Sequence, residues 1–176
     1  YKSSMLQSKK KSFNQIKIHS QYSICEGALK IENLKEYCKK NKIQSVGLSD
    51  TYNLSGALEF SENISSVGTQ PIIGSQVQFK FKNTYGLIPL IAKNYNGYKN
   101  IIELSSKAYL ENVDNDQPHC SIEDLTKYSD GIIVLSGAIN NLIGNMFNKG
   151  LFEELDELIT ISVSYTHLTL PTNGLV

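Results

Sequence analysis

Short apolar runs alternate with amphipathic stretches along most of the chain, from residue 14 to residue 160. Runs rich in Ile, Val and Phe, bounded by turn residues, predict strands. The predicted strands are 14–20, 43–50, 69–81, 84–94 and 131–137. Apolar residues spaced three or four apart predict helices. The predicted helices are 31–42, 53–68, 96–112, 121–129 and 151–160. Strands separated by helices predict an α/β fold, with parallel βαβ units in one sheet or in an irregular barrel.

Capping and turn residues refine three of these segments. Asn53 is placed to cap a helix at its N-terminus, and Gly68 lies near the end of that helix. Ser121 and Asp124 have the Ser-x-x-acid spacing of a capping box. Pro89 predicts that its strand lies at a sheet edge or contains a bulge, because proline cannot donate a hydrogen bond to the ladder.

Several residues fall at or just after predicted strand ends, where ligands gather in α/β folds. They are His19, Asp50, Gln76 and Ala138. We therefore expect these residues to lie in one site. In "IKIHSQYSICEGA", Glu26 follows His19 closely, and a histidine followed by a carboxylate at a strand end is typical of a metal site. Such a site usually has a second histidine two residues earlier on the same strand face, where this chain has Lys17.

Composition limits the range of functions. The chain has 176 residues, about the size of one domain, and 40% of them are apolar. Its 17 Lys and Arg balance 17 Asp and Glu, so the totals indicate neither a membrane partner nor a piece that binds DNA by itself. The ten tyrosines are spread along the chain and predict no base-stacking platform. No apolar run approaches the roughly 18 residues of a membrane helix.

The three cysteines, Cys25, Cys38 and Cys120, show no C-x-x-C spacing. They predict free thiols in a reducing compartment, and hence a cytoplasmic location. His119 and Cys120 are adjacent, but "QPHCSIED" predicts a loop before a capped helix rather than a metal site.

Both ends differ in style from the rest of the chain. Residues 1–12 are polar without periodicity and predict a disordered or foreign segment, with Met5 as a candidate natural start. Residues 162–176 resemble a translated sequencing adapter, so we interpret them, with His167, as an artefactual tail. The predicted domain is therefore 13–161, the truncated front of a longer protein.

Five blocks carry a family resemblance. They are "IHSQYSICEGALKIENL", "LSDTYNLSGALEF", "QPIIGSQV", "IAKNYNGYKNIIELSSKAYLE" and "YSDGIIVLSG". In this order they resemble the PHP (polymerase and histidinol phosphatase) domain at the N-terminus of bacterial DNA polymerase III alpha subunits, most closely the alphaproteobacterial branch. The resemblance implies a PHP-type irregular (βα) barrel, here incomplete at its C-terminal end.

The resemblance also identifies the positions at which metal-binding members of the family hold their ions. His19 is retained, Glu26 stands at an acidic ligand position, and Asp50 matches the aspartate of the family's T-D-H. Other positions depart from the family pattern: Gln15, Lys17 and Thr51 replace histidines, Gln76 replaces a glutamate, Ala138 replaces a cysteine, and Leu87 replaces a strand histidine.

These departures predict a degenerate metal site. A multi-metal phosphoesterase centre needs several imidazoles and carboxylates. A lysine at position 17 repels a cation about 4 Å away by roughly 4 kcal/mol at an intermediate dielectric, and Gln76 removes a negative charge. We expect Lys17 to pair with Glu26 or Asp50, which would convert a metal site into a salt-bridged, structural one. No metal, cofactor or catalytic residue is then expected in this chain.

Three functions follow from the resemblance. In the first, the domain is a scaffold and docking surface for the polymerase body, the proofreading exonuclease subunit and the replisome, while a Mg²⁺-dependent DNA polymerase site lies elsewhere in the parent chain and contacts DNA. In the second, the domain is an active metal-dependent 3′–5′ exonuclease or phosphoesterase. In the third, it is a free-standing phosphatase of the histidinol-phosphate type, which the blocks between 85 and 110 disfavour.

Overall fold

A computed structural model describes residues 13–111, 117–165 and 167–169. Within these residues the chain forms six strands and six helices. The strands are β1 (Ser45–Thr51), β2 (Gln70–Phe81), β3 (Thr84–Ala92), β4 (Cys120–Ser121), β5 (Ile132–Leu135) and β6 (His167–Thr169). The helices are α1 (Ile31–Asn41), α2 (Ala57–Ser65), α3 (Tyr95–Leu110), α4 (Ile122–Lys127), α5 (Leu142–Asn148) and α6 (Phe152–Tyr165). Of these, the sequence did not predict β4, α5 or β6.

The strands form one mixed sheet in the order β1–β2–β3–β5–β6, with the short β4 beside the end of β2. β1 pairs with β2, and β5 with β6, in parallel. β3 is antiparallel to both of its neighbours. The predicted α/β fold is confirmed. β2 and β3, which no helix separates, are antiparallel because a short hairpin joins them. Over the described residues the sheet is open and does not close into a barrel.

The two faces of β2 differ in chemistry because successive side chains of a strand point to opposite sides. Val77 and Phe79 point to the face covered by helices and belong to the larger buried core, which also takes in Leu90 of β3 and Leu104 of α3. A smaller core lies between β1, α1 and α2. Gln76 points to the other face, which therefore carries the polar candidate site.

The segment before β1 differs from the prediction. Backbone hydrogen bonds join Gln15 and Ile18 to β1, with Ile18 N donating to the Gly47 carbonyl at 3.2 Å. Residues 14–20 nevertheless form only isolated bridges, one of them between Ile18 and Leu48. The segment lies at the edge of the sheet, and at Ser20 it turns away towards a loop.

Asn53 does not cap α2, because the helix begins at Ala57 with Gly56 at the cap position. The Asn53 amide instead donates to the carbonyls of Tyr22 and Thr51, both at 3.0 Å. The predicted N-cap is therefore wrong, and Asn53 serves as a tie between two loops.

Pro89 lies in a strand that is inside the sheet, not at its edge. β5 pairs only with Leu90–Ala92 of β3, so Pro89 lies just beyond that pairing. Opposite Pro89, the carbonyl of Gln76 accepts from Tyr52 N on the far side of β2. The Gln76–Pro89 pair therefore needs no hydrogen bond from the proline nitrogen. For this reason Pro89 fits within an interior strand.

The capping box at α4 is confirmed. The Ser121 hydroxyl accepts from Asp124 N at 3.2 Å, and the Asp124 carboxylate accepts from Ser121 N at 3.0 Å. Helix α6 continues past residue 161 to Tyr165. The artefactual origin of residues 162–176 stays a prediction, and residues 1–12 lie outside the described residues.

Replacing Phe79 with Ala should lower the free energy of unfolding by about 4 kcal/mol, because the ring is fully buried and its loss leaves a cavity. Urea unfolding followed by circular dichroism measures the change. Phe13→Ala is the matched control, since Phe13 is 82% exposed and its loss should change stability by less than about 0.5 kcal/mol. Equal losses for the two variants would contradict the assigned core.

The thiols should react unequally in the folded protein. Cys25 is exposed, whereas Cys38 and Cys120 are buried. Burial raises the pKa of Cys38, and it raises the pKa of Cys120 to about 12. Because the thiolate is the reactive form, a thiol reagent at pH 8 should label one cysteine quickly and the other two only after unfolding. Rapid labelling of all three would contradict this packing.

Candidate functional site

Asp50 fastens the loop that follows His19 onto the end of β1. The Asp50 carboxylate is 1% exposed and accepts three hydrogen bonds. Ser20 donates through its N–H at 2.6 Å and its hydroxyl at 2.7 Å, and Ser23 donates through its hydroxyl at 2.7 Å. Hydrogen bonds to a buried carboxylate are strong, and they satisfy a charge that would otherwise be costly to bury. The loop is therefore held at two points by one side chain.

A second hydrogen-bonded group surrounds Thr51, the last residue of β1. Its hydroxyl donates to Glu26 Oε2 and accepts from Gln76 Nε2 at 2.9 Å. The same Gln76 nitrogen lies 3.5 Å from His19 Nε2. His19 Nδ1 in turn lies 4.0 Å from Glu26 Oε2, which brings the chain of contacts back to its start.

The geometry of β1 explains why the hydrogen bonds of Asp50 and those of Thr51 form two separate groups. Asp50 and Thr51 are consecutive in β1, so their side chains point to opposite faces of the sheet. Asp50 points towards the loop and α2, whereas Thr51 points to the face of Gln76. Thr51 N donates to the Ser23 hydroxyl at 3.1 Å and so links the two groups.

The expected ion pair of Lys17 is not formed. Among the described residues, Lys17 has no carboxylate oxygen of Glu26 or Asp50 within the 4.0 Å of a direct ion pair. Desolvation by burial lowers the pKa of Lys17, and the Glu26 charge opposes that shift from a longer distance. The group is held together by hydrogen bonds and not, as predicted, by a salt bridge.

The remaining sequence candidates lie outside these groups. Ala138 follows β5 at the same edge of the sheet and is exposed. Leu87 lies on β3 opposite Gln78. Gln15 is exposed, and its amide reaches only the Lys17 carbonyl at 3.5 Å. The structure therefore brings together His19, Glu26, Thr51 and Gln76, with Asp50 behind them, and the place of Ala138 in the site stays a prediction.

His119 and Cys120 point to different surroundings. The His119 ring packs edge-on against Tyr85, with 5.2 Å between ring centroids, and Cys120 Sγ donates to the Leu104 carbonyl at 3.1 Å. These contacts give both side chains a structural role, and the sequence interpretation that they hold no metal stays a prediction.

Sequence reasoning missed the hydrogen-bond donors of the site. Ser20 and Ser23 fix Asp50, and their only signal in the sequence is a pair of small hydroxyl residues in a loop after a strand. It also missed Tyr52, whose hydroxyl donates to Gln78 Oε1 on the same polar face. The backbone of Tyr52 has φ of 65°, a left-handed conformation that nothing in the local sequence indicates.

The donor set does not fit a multi-metal centre. In the part of the chain that the structure describes, no three His, Cys, Asp or Glu side chains lie close enough to hold an ion. Both oxygens of Asp50 are occupied by serine donors. Thr51 and Gln76 offer neutral oxygens where a phosphoesterase centre needs charged or imidazole ligands. Four buried polar atoms of the described residues lack a partner: His19 Nδ1, Ser49 Oγ and Gln76 Oε1, and also Asn141 Nδ2 just before α5.

The family model of the PHP domain matches residues 15–166 of this chain. The chain belongs to the PHP domain family. The resemblance drawn from the sequence blocks is thereby confirmed.

The related proteins are DNA polymerase III alpha subunits, which this chain matches in their N-terminal region. The subunit of Borreliella burgdorferi is 36% identical over 154 residues, covering 81% of this chain and 13% of that protein. The subunit of Haemophilus influenzae is 32% identical over 150 residues, covering 84% and 13%. The chain thus spans about an eighth of the length of these relatives. Relatives from several bacterial groups have similar identities, so the alphaproteobacterial affinity stays a prediction.

Among solved structures, the fold is similar to that of a proposed metal-dependent phosphoesterase from Bifidobacterium adolescentis. The TM-score is 0.51, with 11% identity, and the match covers 89% of this chain and 85% of that one. At this identity the likeness concerns the fold alone. No helix in the described part of the chain is long and apolar enough to span a membrane.

Replacing Asp50 with Asn should lower the free energy of unfolding by about 3 kcal/mol, because three donors then face a neutral group that cannot accept from all of them. Urea unfolding measures the loss. The matched control is Asp156→Asn on the exposed side of α6, for which we expect a change below about 0.5 kcal/mol. Similar effects for the two variants would mean that Asp50 does not fasten the loop.

Lys17→Met should stabilise the protein in a pH-dependent way. A lysine whose pKa is lowered by folding binds fewer protons in the folded protein, so its charge costs stability below the folded pKa. That cost disappears as the pH rises towards the ordinary lysine value of 10.5, where the unfolded chain also loses the proton. The stability difference between variant and wild type should therefore be positive at pH 7 and shrink as the pH approaches 10.5.

Measuring the difference at each pH cancels the titration of other groups, and Lys39→Met on an exposed position of α1 is the control. A difference that grows with pH, or a Lys17→Met variant less stable than wild type at pH 7, would contradict the assigned environment.

Proposed function

We propose that this PHP domain is part of a bacterial DNA polymerase III alpha subunit, in which it is a scaffold and docking surface and not a catalytic domain. The identity of 32–37% to alpha subunits over most of the chain supports the first half of this proposal. The hydrogen-bonded chain from Glu26 through Thr51 to Gln76 is the observation that carries the second half.

That chain of contacts uses the groups that a metal would need. The Glu26 carboxylate already accepts from Thr51, and the Gln76 amide donates to Thr51 and faces His19. A divalent ion would have to displace these hydrogen bonds and approach the positive charge of Lys17. Among the side chains of the group, only His19 and Glu26 are strong ligands, and two ligands are too few for a resident catalytic ion. The site therefore stabilises the end of β1 as a degenerate metal site.

An exposed apolar patch supports a docking role. Ile139, Phe147 and Phe152 are each more than half exposed. The rings of Phe147 and Phe152 pack edge-to-face with 5.6 Å between centroids, so these two side chains form one continuous apolar surface. Such patches are typical of surfaces that pack against another part of a protein. We assign the patch to contact with the rest of the polymerase chain.

In this proposal, catalysis takes place in the parts of the polymerase outside this chain. There, Mg²⁺ would supply two-metal nucleotidyl transfer on DNA, while this domain contributes no cofactor. The proofreading exonuclease subunit and other replisome proteins are the further partners that this role implies. Three unpaired thiols agree with a cytoplasmic location.

The second candidate is an active metal-dependent 3′–5′ exonuclease or phosphoesterase. The observation in its favour is that His19 Nδ1 and Glu26 Oε2 lie 4.0 Å apart and His19 Nδ1 lacks a partner. One ion between them would still lack the other charged ligands of such a centre.

Elemental analysis and a nuclease assay on single-stranded DNA with zinc or manganese test the two candidates. We expect the wild-type chain to hold no stoichiometric metal and to cleave nothing. The variant Lys17→His/Thr51→His/Gln76→Glu replaces a cation and two neutral side chains with three ligands, so it should retain at least one ion per chain.

The control variant, Lys39→His/Gln44→Glu/Thr160→His, makes the same chemical changes at exposed positions and should stay metal-free. Two tightly bound ions and phosphodiester cleavage in the wild type would overturn the scaffold proposal in favour of the exonuclease.

A further inference from the structure

Two tyrosines and one lysine line a cleft that lies away from the candidate site, and a second lysine, Lys99, lies against one of the two rings. The cleft has a volume of about 360 Å³ and lies between the start of β2 and the segment that joins β3 to α3. Gln70 in its wall is six residues before Gln76, about 20 Å along the strand. The cleft is therefore independent of the metal-type site and of the function proposed for it.

The aromatic rings form an exposed platform. Tyr95 is 73% exposed, and its ring centroid lies 6.5 Å from that of Tyr98 with the planes tilted by 35°. The two residues are three apart in α3 and so share one side of the helix. The sequence predicted no stacking platform, because ten scattered tyrosines do not reveal which two share a surface.

Two lysines lie near this platform. The Lys99 ammonium lies 5.0 Å from the centroid of the Tyr95 ring. Lys93 is exposed and lines the cleft. The nearby carboxylate of Asp130 accepts a hydrogen bond from Asn96. Two lysines against the one carboxylate of Asp130 leave a small local excess of positive charge beside the exposed rings.

The backbone that carries the platform is fixed. Asn94 Oδ1 accepts from Gly97 N at 2.9 Å, and Lys93 N donates to the Gly131 carbonyl at 2.8 Å. Gly97 packs so closely on Gly131 that an added Cβ would lie 1.8 Å from the Gly131 oxygen. A rigid surface loses little conformational entropy when a ligand binds.

We propose that this cleft binds single-stranded nucleic acid, with a base stacked on Tyr95 and the neighbouring phosphates beside Lys93 and Lys99. Stacking on aromatic side chains combined with cationic groups along the backbone is the usual physical basis of single-strand binding. An acidic peptide would use the lysines but would leave the exposed face of Tyr95 without a matching partner. The combination of an exposed ring and cations therefore favours the nucleic acid.

Fluorescence anisotropy of the 176-residue chain with a labelled oligothymidylate of about 12 nucleotides tests this. Tyr95→Ala should weaken binding about tenfold through lost stacking, whereas Tyr95→Phe should retain the affinity. Lys93→Gln/Lys99→Gln should reduce the slope of log affinity against log salt by about 1.4, because each phosphate contact contributes about 0.7 for a single strand. Tyr37→Ala/Lys39→Gln, an exposed pair on α1, is the matched control and should bind like wild type.

Several outcomes would overturn the proposal: no binding by the wild type at about 50 mM salt, an unchanged affinity for Tyr95→Ala, or an equal loss in the control. Tighter binding of a labelled oligoglutamate with the same dependence on Tyr95 would assign the cleft to an acidic peptide instead. Circular dichroism checks that each variant folds. If Tyr95→Ala does not fold, the salt slope of the lysine variant tests the proposal in its place.

Discussion

Asp50 accepts three hydrogen bonds from one loop, and the geometry of the candidate site depends on them. The carboxylate lies at the end of a buried parallel strand, so it cannot turn to water and must be satisfied by protein donors. Ser20 and Ser23 supply those donors, and in doing so they set the path of the chain from His19 to Glu26. His19 and Glu26 face Thr51 and Gln76 only because this loop is fixed.

The same constraint supports the proposal that the polar face is stable without an ion. Thr51 both donates and accepts, and so it joins a charged carboxylate to a neutral amide. Lys17 is close enough for Glu26 to act on its pKa but makes no direct ion pair there. The attraction is therefore weak, and hydrogen bonds, not opposite charges, hold the site together. Such a network needs all of its members in place, because buried polar groups are costly when a partner is missing.

The sequence could predict what depends on local pattern. The α/β class, most elements and the capping box at Ser121 follow from periodicity and spacing, and the family follows from the ordered blocks. It could not predict that Asn53 ties two loops, since this depends on a contact with Tyr22 that is distant in the chain. The two residues between the predicted strands 69–81 and 84–94 already require β2 and β3 to be antiparallel, because a parallel pair needs a crossover of about a dozen residues.

For the site, the expectation that ligands gather at the ends of strands identified His19, Asp50 and Gln76, which lie at one edge of the sheet. It could not tell that Asp50 and Thr51 face opposite sides with different partners, and the place of Ala138 in the site stays a prediction. The serine donors of Asp50 were missed for a similar reason. A hydroxyl in a loop has many potential partners, and only the folded loop selects one.

The most direct test of the account is a crystal of this chain soaked in manganese, with diffraction data collected to reveal anomalous scattering from the ion. No anomalous peak is expected between His19 and Glu26, and the Thr51 hydroxyl should remain hydrogen-bonded to both Glu26 and Gln76. A strong peak at that position, with the Thr51 contacts broken, would contradict the claim that hydrogen bonds have replaced the metal.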